Sequence, residues 1–420
     1  MDKRVCVIGL GYIGLPTAAF LADSGYDVIG VDIDKEVVEI INKGNIHIIE
    51  PKLDSLVKDV VSKKKLVASL NPAKSDVYII AVPTPFHETS KEDIPKPNID
   101  YVKDAVISIS SFLKKGDLVI LESTSPIGTT EHIRDILKEL REDLNFEDGT
   151  SNDCDVNIAY CPERVIPGNV LYELKNNDRV LGGITNECSE KASQFYKNFI
   201  NGKCFKTNSK TAEMTKLVEN SSRDVQIAFA NELSIICENL DINVWELISL
   251  ANHHPRVNIL NPGPGVGGHC IAVDPWFIVD ADKSNSRIIR QARQINDSKP
   301  FWVIERIKEE ISRVIDSNEL DAQDITICIY GLTFKPDVDD IRESPALQIA
   351  EEILRINKGK IFFVDPNLKN VFLNNKEYKI TGLNDLKDYI HIHLLLVDHK
   401  EFKDFKPKNG SIIDTRGIWQ

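Results

Sequence analysis

Val5-Cys6-Val7-Ile8-Gly9-Leu10-Gly11-Tyr12-Ile13-Gly14 decides the fold: four apolar residues in a row, then glycines at 9, 11 and 14. A short unbroken apolar run suits a strand buried on both faces. A helix is expected from about Tyr12 to Ser24, then a second strand over Asp27-Val28-Ile29-Gly30-Val31. Asp32 ends that strand, 21 residues after Gly11. The first glycine permits the turn, the second lets a pyrophosphate approach the backbone, and the third lets helix pack on strand. The helix N-terminus stabilises phosphate charge, and the acid accepts ribose hydroxyls. Gly9, Gly11, Tyr12, Ile13, Gly14 and Asp32 are therefore the expected cofactor contacts. Asp32 would repel a 2′-phosphate, so NAD is expected in preference to NADP. A purely structural glycine turn remains the competing reading.

The same texture continues outward. Val77-Tyr78-Ile79-Ile80-Ala81-Val82, Leu118-Val119-Ile120-Leu121 and Asn157-Ile158-Ala159-Tyr160 read as further strands separated by helical stretches. Such alternation implies βαβ units and a parallel sheet covered on both faces. From Thr211 to Leu240 there is no Gly or Pro, and apolar residues recur at helical spacing. A Gly/Pro cluster follows at Asn261 to Gly268, then a second helical stretch from about Lys299 to Ile315. The strand–helix texture returns with strands at Ile325 to Tyr330 and Ile361 to Val364, a helix at Ser344 to Leu354, and Asp365 in the place of Asp32. His393 to Val397 and Ile412 to Asp414 complete the pattern. The expected fold class is α/β, with two Rossmann-like doubly wound parallel-sheet domains joined by a helical central segment. The expected divisions are 1–207, 208–316 and 317–420. Open α/β sheets bind ligands at the carboxyl ends of their strands, so a cleft for two ligands is expected.

Composition narrows the function. Hydrophobic residues are 42% and charged residues 27% of 420, a soluble globular balance. No apolar run approaches the roughly 20 residues needed to span a bilayer. Met1-Asp2-Lys3-Arg4 leads straight into a strand, without the apolar region of a signal peptide, so the cytoplasm is the expected location and no membrane partner is expected. A net charge of -13 argues against a nucleic-acid partner. Eight cysteines without paired spacing fit reduced thiols, with no disulfide frame and no metal site.

One cysteine stands apart. Gly263-Pro264-Gly265-Val266-Gly267-Gly268-His269-Cys270 packs four glycines ahead of a thiol. Such a loop lets backbone crowd a ligand, and a thiolate there could serve as nucleophile. On composition alone, a buried inert cysteine is the stronger reading.

Several separated motifs resolve the choice. Ala81-Val82-Pro83-Thr84-Pro85, Glu122-Ser123-Thr124-Ser125-Pro126, Cys161-Pro162-Glu163-Arg164, Thr211-Ala212-Glu213-Met214, the loop ending in Cys270, and Gly331-Leu332-Thr333-Phe334-Lys335-Pro336 occur in this order. In them the chain resembles the UDP-glucose/GDP-mannose dehydrogenase family over essentially its whole length. The resemblance implies an NAD-dependent, four-electron oxidation of a sugar 6-hydroxymethyl to a carboxylate through a Cys270 thiohemiacetal and thioester. It makes 1–207 the NAD domain, 208–316 the dimerisation domain and 317–420 the UDP-sugar domain.

The resemblance also distributes roles. Lys216 and Asn220 match an oxyanion-stabilising pair, and their i, i+4 spacing puts both on one helical face. Asp274 matches an acid assisting water or Lys216, Thr124 a water-positioning hydroxyl, and Glu163 a general acid/base. Thr84 and Thr124 fall on the cofactor side, Arg164 and Gly267 on the substrate side. Lys335 and Arg342 match diphosphate and sugar contacts. Arg416 is a nucleotide-contact candidate. Arg256 matches an arginine reaching a partner subunit's substrate, which implies a homodimer. Read as bare residues, Lys216 could equally be solvated, Asp274 a turn residue, and Arg342 part of a solvated capping turn.

Three positions depart from the UDP-glucose type. Pro167 stands where a second acid is usual, Val273 where a lysine is usual, and His269 precedes the nucleophile. With His254-Pro255-Arg256-Val257-Asn258 they resemble the N-acetylhexosamine branch. UDP-N-acetyl-D-mannosamine is the expected substrate, with UDP-N-acetylglucosamine and then UDP-glucose as alternatives. A two-electron hydroxyacid dehydrogenase would produce one NADH per substrate, and a non-enzymatic NADH sensor none.

Overall fold

The computed structural model describes residues 3–87, 94–146, 154–166, 168–268, 270–386 and 389–419. The expectations placed on Pro167 and His269 lie outside these residues. The chain forms two compact units, Met1–Glu219 with Asp280–Asp282, and Asn220–Val279 with Lys283–Gln420.

Among the described residues of the first unit, eight strands form one sheet. They are β1 (Arg4–Ile8), β2 (Asp27–Val31), β3 (Leu66–Ser69), β4 (Val77–Ile80), β5 (Leu118–Leu121), β6 (Asn157–Tyr160), β7 (Arg179–Gly183) and β8 (Cys204–Asn208). Their spatial order is β3-β2-β1-β4-β5-β6-β7-β8. The first six pair in parallel in the doubly wound dinucleotide-binding order. The switch point lies between β1 and β4, beside the glycine loop. β1 shows why its residues are apolar throughout: Val5 and Val7 join one core cluster, Cys6 and Ile8 the other. β7 departs from the parallel pattern by pairing antiparallel with β6.

In the second unit β9 (Ile327–Tyr330) and β10 (Ile361–Val364) are followed by a hairpin, β11 (Asn370–Leu373) and β12 (Lys376–Lys379), then β13 (Ile392–Leu395) and β14 (Ser411–Asp414). The sheet order is β10-β9-β13-β14, parallel throughout. Both open sheets are thus Rossmann-like, and the segment connecting them in sequence is helical. Its long members are Ser209–Asn239 and Arg287–Asn318. The second starts twelve residues before the expected Lys299, because Pro300 lies inside it and does not begin it. Among the described residues no helix is long and apolar enough to cross a membrane.

The two sheets repeat one local device. Gly9 N–H donates to Val31 O and Leu10 N–H to Asp32 Oδ2, at 2.8 and 2.9 Å. Gly331 N–H donates to Val364 O and Leu332 N–H to Asp365 Oδ2, both at 2.8 Å. The acids differ in surroundings. Asp32 is only partly buried, whereas Asp365 is buried and also meets His399 Nε2 at 3.2 Å. Asp365 Oδ2 therefore holds the Leu332 amide and the His399 ring together.

Candidate functional site

The glycine loop is shaped for a cofactor backbone. Gly9 has φ +91°, and a Cβ there would lie 2.5 Å from Ala81 O. A Cβ on Gly14 would lie 1.7 Å from Gly9 O, so only glycine lets this helix meet this loop. Gly11 has nothing within 4 Å of such an atom, which leaves open space on the face a pyrophosphate approaches. Helix Gly14–Asp23 begins after Ile13 with no side-chain cap, and although Leu15 N–H already donates to Gly11 O at 3.1 Å, the positive end of the helix faces the loop where an anion would sit. Tyr12 is exposed beside it. Asp32 anchors the loop through Oδ2, while Oδ1 accepts from Asp34 N–H at 3.0 Å. Its lone pairs not used by these amides suit ribose hydroxyls. These residues fit NAD.

The loops after β4 and β5 are pinned together. Thr84 Oγ1 donates to Thr124 O at 2.5 Å and Ser123 Oγ to Val82 O at 2.7 Å. Thr84 and Thr124, assigned to the cofactor side, are thereby held as neighbours. Glu213 secures the next turn: it accepts from Gly128 N–H, Thr130 N–H and Thr130 Oγ1 at 2.6, 2.8 and 2.6 Å. Burial pushes its carboxyl up to about 7, against these donors.

Glu163 is 7% exposed. Its Oε2 accepts from Val165 N–H at 2.5 Å, and its Oε1 lies 3.8 Å from Arg179 Nη1. Burial raises its carboxyl above the usual range, while Arg179, the Val165 amide and the charge of Lys216 pull the other way. Glu163 and Lys216 are thus in one electrostatic neighbourhood. Arg164 instead forms an ion pair with Glu219, Nη2 to Oε1 at 2.6 Å.

In the second unit Cys270 is exposed, whereas Cys6, Cys161, Cys188, Cys237 and Cys328 are buried; no disulfide joins any of the eight. Cys154 and Cys204 are half-buried, so Cys270, the cysteine that the motifs set apart, is the one exposed thiol of the eight. The Cys270 carbonyl accepts from Val273 N–H at 3.1 Å and Asp274 N–H at 2.9 Å. This turn runs directly into helix Asp274–Ala281. Asp274 is 3% exposed, and its Oδ2 accepts from Asn220 Nδ2 at 2.6 Å. Asn220 and Lys216 share helix Ser209–Asn239, one turn apart.

The glycines ahead of Cys270 are needed for packing. A Cβ on Gly267 would stand 2.3 Å from Glu343 O, and one on Gly268 2.9 Å from the Phe334 ring. Gly263 N–H donates to the buried Asn231 Oδ1 at 2.9 Å, which ties the loop to the central helix. A cavity of about 80 Å³ opens here, lined in part by Gly265, Lys335, Pro345, Asp398 and Arg416. Arg416 is steadied by Asp398, Nε to Oδ1 at 2.7 Å. Arg342 is exposed and paired with Asp340 at 2.6 Å, and it does not line that cavity. Arg256 is exposed beyond helix Val244–Ala251.

Lys335 and Arg416 thus meet at one cavity, as do Asn220 and Asp274 at one hydrogen bond. Sequence inspection assigned no role to Arg179, Tyr196 or Glu122 around Glu163: Glu122 enters only as the first residue of a family motif, and Arg179 and Tyr196 stand outside the motifs. Among the described residues no group of three or more His, Cys, Asp or Glu is placed to hold a metal ion.

Models of the UDP-glucose/GDP-mannose dehydrogenase family match at 3–200 (NAD binding domain), 210–298 (central domain) and 328–420 (UDP binding domain). The UDP-N-acetyl-D-mannosamine dehydrogenase of Escherichia coli K12 is 52% identical, with 99% of each chain covered. That of Campylobacter jejuni is 53% identical, covering 95% of this chain and 96% of its own. A solved UDP-N-acetyl-mannosamine dehydrogenase from Staphylococcus aureus has 41% identity and a TM-score of 0.84, covering 100% of this chain and 96% of that one.

Proposed function

Since this chain belongs to the UDP-glucose/GDP-mannose dehydrogenase family and is an NAD-dependent nucleotide-sugar dehydrogenase, we propose that it oxidises the 6-hydroxymethyl of UDP-N-acetyl-D-mannosamine to the uronate. The sugar is carried by the identity of at least 52% to two enzymes named for it. The observation that carries the chemistry is the exposed Cys270 on a turn leading into Asp274, which is hydrogen-bonded to Asn220.

NAD, when bound, accepts one hydride in each of two oxidations. In the first the hydroxyl loses its proton to Glu163 acting as base, and the carbon becomes an aldehyde. The Cys270 thiolate adds to that aldehyde, giving a thiohemiacetal, because a bare aldehyde has no suitable hydride to give. The second oxidation yields a thioester, which water cleaves to carboxylate and thiol. The sum is one alcohol, one water and two NAD to one carboxylate, two NADH and three protons. Lys216 and Asn220 stabilise the developing oxyanion, Thr124 positions water, and Asp274 assists its attack. Arg164 and Gly267 serve the sugar side, and Lys335, Arg342 and Arg416 bind the nucleotide diphosphate as cations matched to an anion.

The working form is a homodimer in which Arg256 reaches the partner's substrate. Support comes from exposed apolar residues on the helical segment: Phe229, Ile236, Leu240, Ile242 and Leu250. The division at 207/208 and 316/317 into NAD, dimerisation and UDP-sugar parts is consistent with the spans of the three family models.

Parallel assays with UDP-N-acetylmannosamine, UDP-N-acetylglucosamine and UDP-glucose test the sugar. The first should be used best. A site tuned to one group rejects an analogue lacking it by as much as about 10⁴-fold. Equal catalytic efficiency on UDP-glucose would refute the N-acetyl assignment.

A further inference from the structure

Arg179 opens β7 and is 3% exposed. A guanidinium so far from water needs compensation. Its Nη2 donates to Leu174 O at 3.2 Å, and its Nη1 lies 3.8 Å from Glu163 Oε1. Its guanidinium carbon is 5.5 Å from the centre of the Tyr196 ring. The Tyr196 hydroxyl donates to Glu122 Oε1 at 2.6 Å. Two carboxyl groups, Glu163 and Glu122, are therefore buried around one cation.

Arg179 is the cation that both carboxyls share, and Lys216 acts on Glu163 besides, so the two acids are unequally compensated. The less compensated one must retain its proton or bear an uncompensated burial cost. Burial pushes both carboxyls up, Arg179 opposes it in each, and the two acids repel. The groups facing Glu163 are Arg179 from β7, Glu122 beyond β5, and Lys216 from helix Ser209–Asn239. Tyr196 and Cys161 complete the surroundings of Arg179.

We propose that Arg179 is a positioning residue for the reaction. It holds Glu163 oriented and ionised as base, while Glu122, hydrogen-bonded by Tyr196, competes for the same charge. The pair of carboxyls then stores a single proton. This inference rests on the reading of Glu163 as the general base.

The test is the pH profile of kcat for the purified enzyme with UDP-N-acetylmannosamine and NAD. In Arg179→Gln the acidic limb should move up by roughly one pH unit or more, because a nearby opposite charge lowers a carboxyl by about that much. KM for both substrates should stay within about twofold, since Arg179 is buried behind Glu163 and acts through it. Arg179→Lys should return the limb most of the way. In a Glu163→Gln background, Arg179→Gln should change kcat little further. Glu122→Gln keeps an acceptor for Tyr196 but can no longer take the negative charge and leave the shared proton on Glu163, so its limb should move down. That variant decides the matter if Arg179→Gln does not fold. An unmoved limb in Glu122→Gln, or in folded Arg179→Gln, overturns the proposal. Wild-type kcat in Glu163→Gln would instead overturn the underlying reading of Glu163.

Discussion

Asn220 donates a 2.6 Å hydrogen bond to Asp274 across 54 residues of sequence. The bond orients a carboxylate that is 3% exposed, four residues after the exposed Cys270. An acid so placed and so held suits a role in cleaving a thioester on that cysteine. Asp274→Asn retains the shape but cannot take a proton from water. It should lower kcat by about 10²-fold or more, the usual worth of a general base. Mass spectrometry of the quenched reaction should then find sugar attached to Cys270. A slow variant without attached sugar would move Asp274 to an earlier step.

Lys216→Ala should slow turnover by about 10²–10³-fold, the typical loss of one preorganised oxyanion donor. Binding of UDP-sugar, followed by titration calorimetry, should stay near wild type. An effect confined to affinity would make Lys216 a binding residue.

Asp32 does two things at once, and the structure separates them. It carries the charge expected to exclude a 2′-phosphate, and it accepts the amide of the fully buried Leu10. Asp32→Ala loses both, and stranding a buried amide alone costs about 1–3 kcal/mol. Asp32→Asn keeps an acceptor and removes the charge. It should narrow the preference for NAD over NADP, mainly by weakening NAD, while Asp32→Ala should also lower the melting temperature. Equal use of NADP by the unaltered enzyme would show the assignment of Asp32 to be wrong.

The fold was legible where structure is written locally. Val5 to Gly14, with Asp32, carries strand, turn, helix and acid within thirty residues, and each fell where its chemistry required. The edges were less legible. β3, β7 and β8 have exposed or half-exposed positions, so none shows the continuous apolar run that marks a central strand. The helical stretch expected from about Lys299 starts earlier, and packing of Ala292, Asn296 and Val303 carries one helix through Pro300. Roles for single residues are proposed only through family likeness. Nothing in the spacing of Asn220 and Asp274 foretells their bond, because it depends on how distant segments fold together.

The carboxyl of Glu213 predicts a pH effect on stability. Burial raises it from 4.5 to about 7 in the fold. A carboxyl raised by folding binds its proton more tightly in the native state between those values. Its contribution is therefore full below about pH 4.5 and lost as pH rises through about 7. At about 1.4 kcal/mol per pH unit the change reaches about 3 kcal/mol. Urea unfolding at pH 5 and pH 8 should show a fall in stability that Glu213→Gln reduces. An undiminished fall in Glu213→Gln would assign the effect to other groups.

The central claim is a four-electron oxidation through Cys270, and counting NADH tests it most directly. With UDP-N-acetylmannosamine limiting and NAD in excess, absorbance at completion should correspond to two NADH per sugar nucleotide, with uronate as the product. Cys270→Ser should still bind the sugar nucleotide but lose steady turnover, since a hydroxyl is a far poorer nucleophile than a thiolate near neutral pH. One NADH per sugar with release of aldehyde, or wild-type rates from Cys270→Ser, would contradict the account.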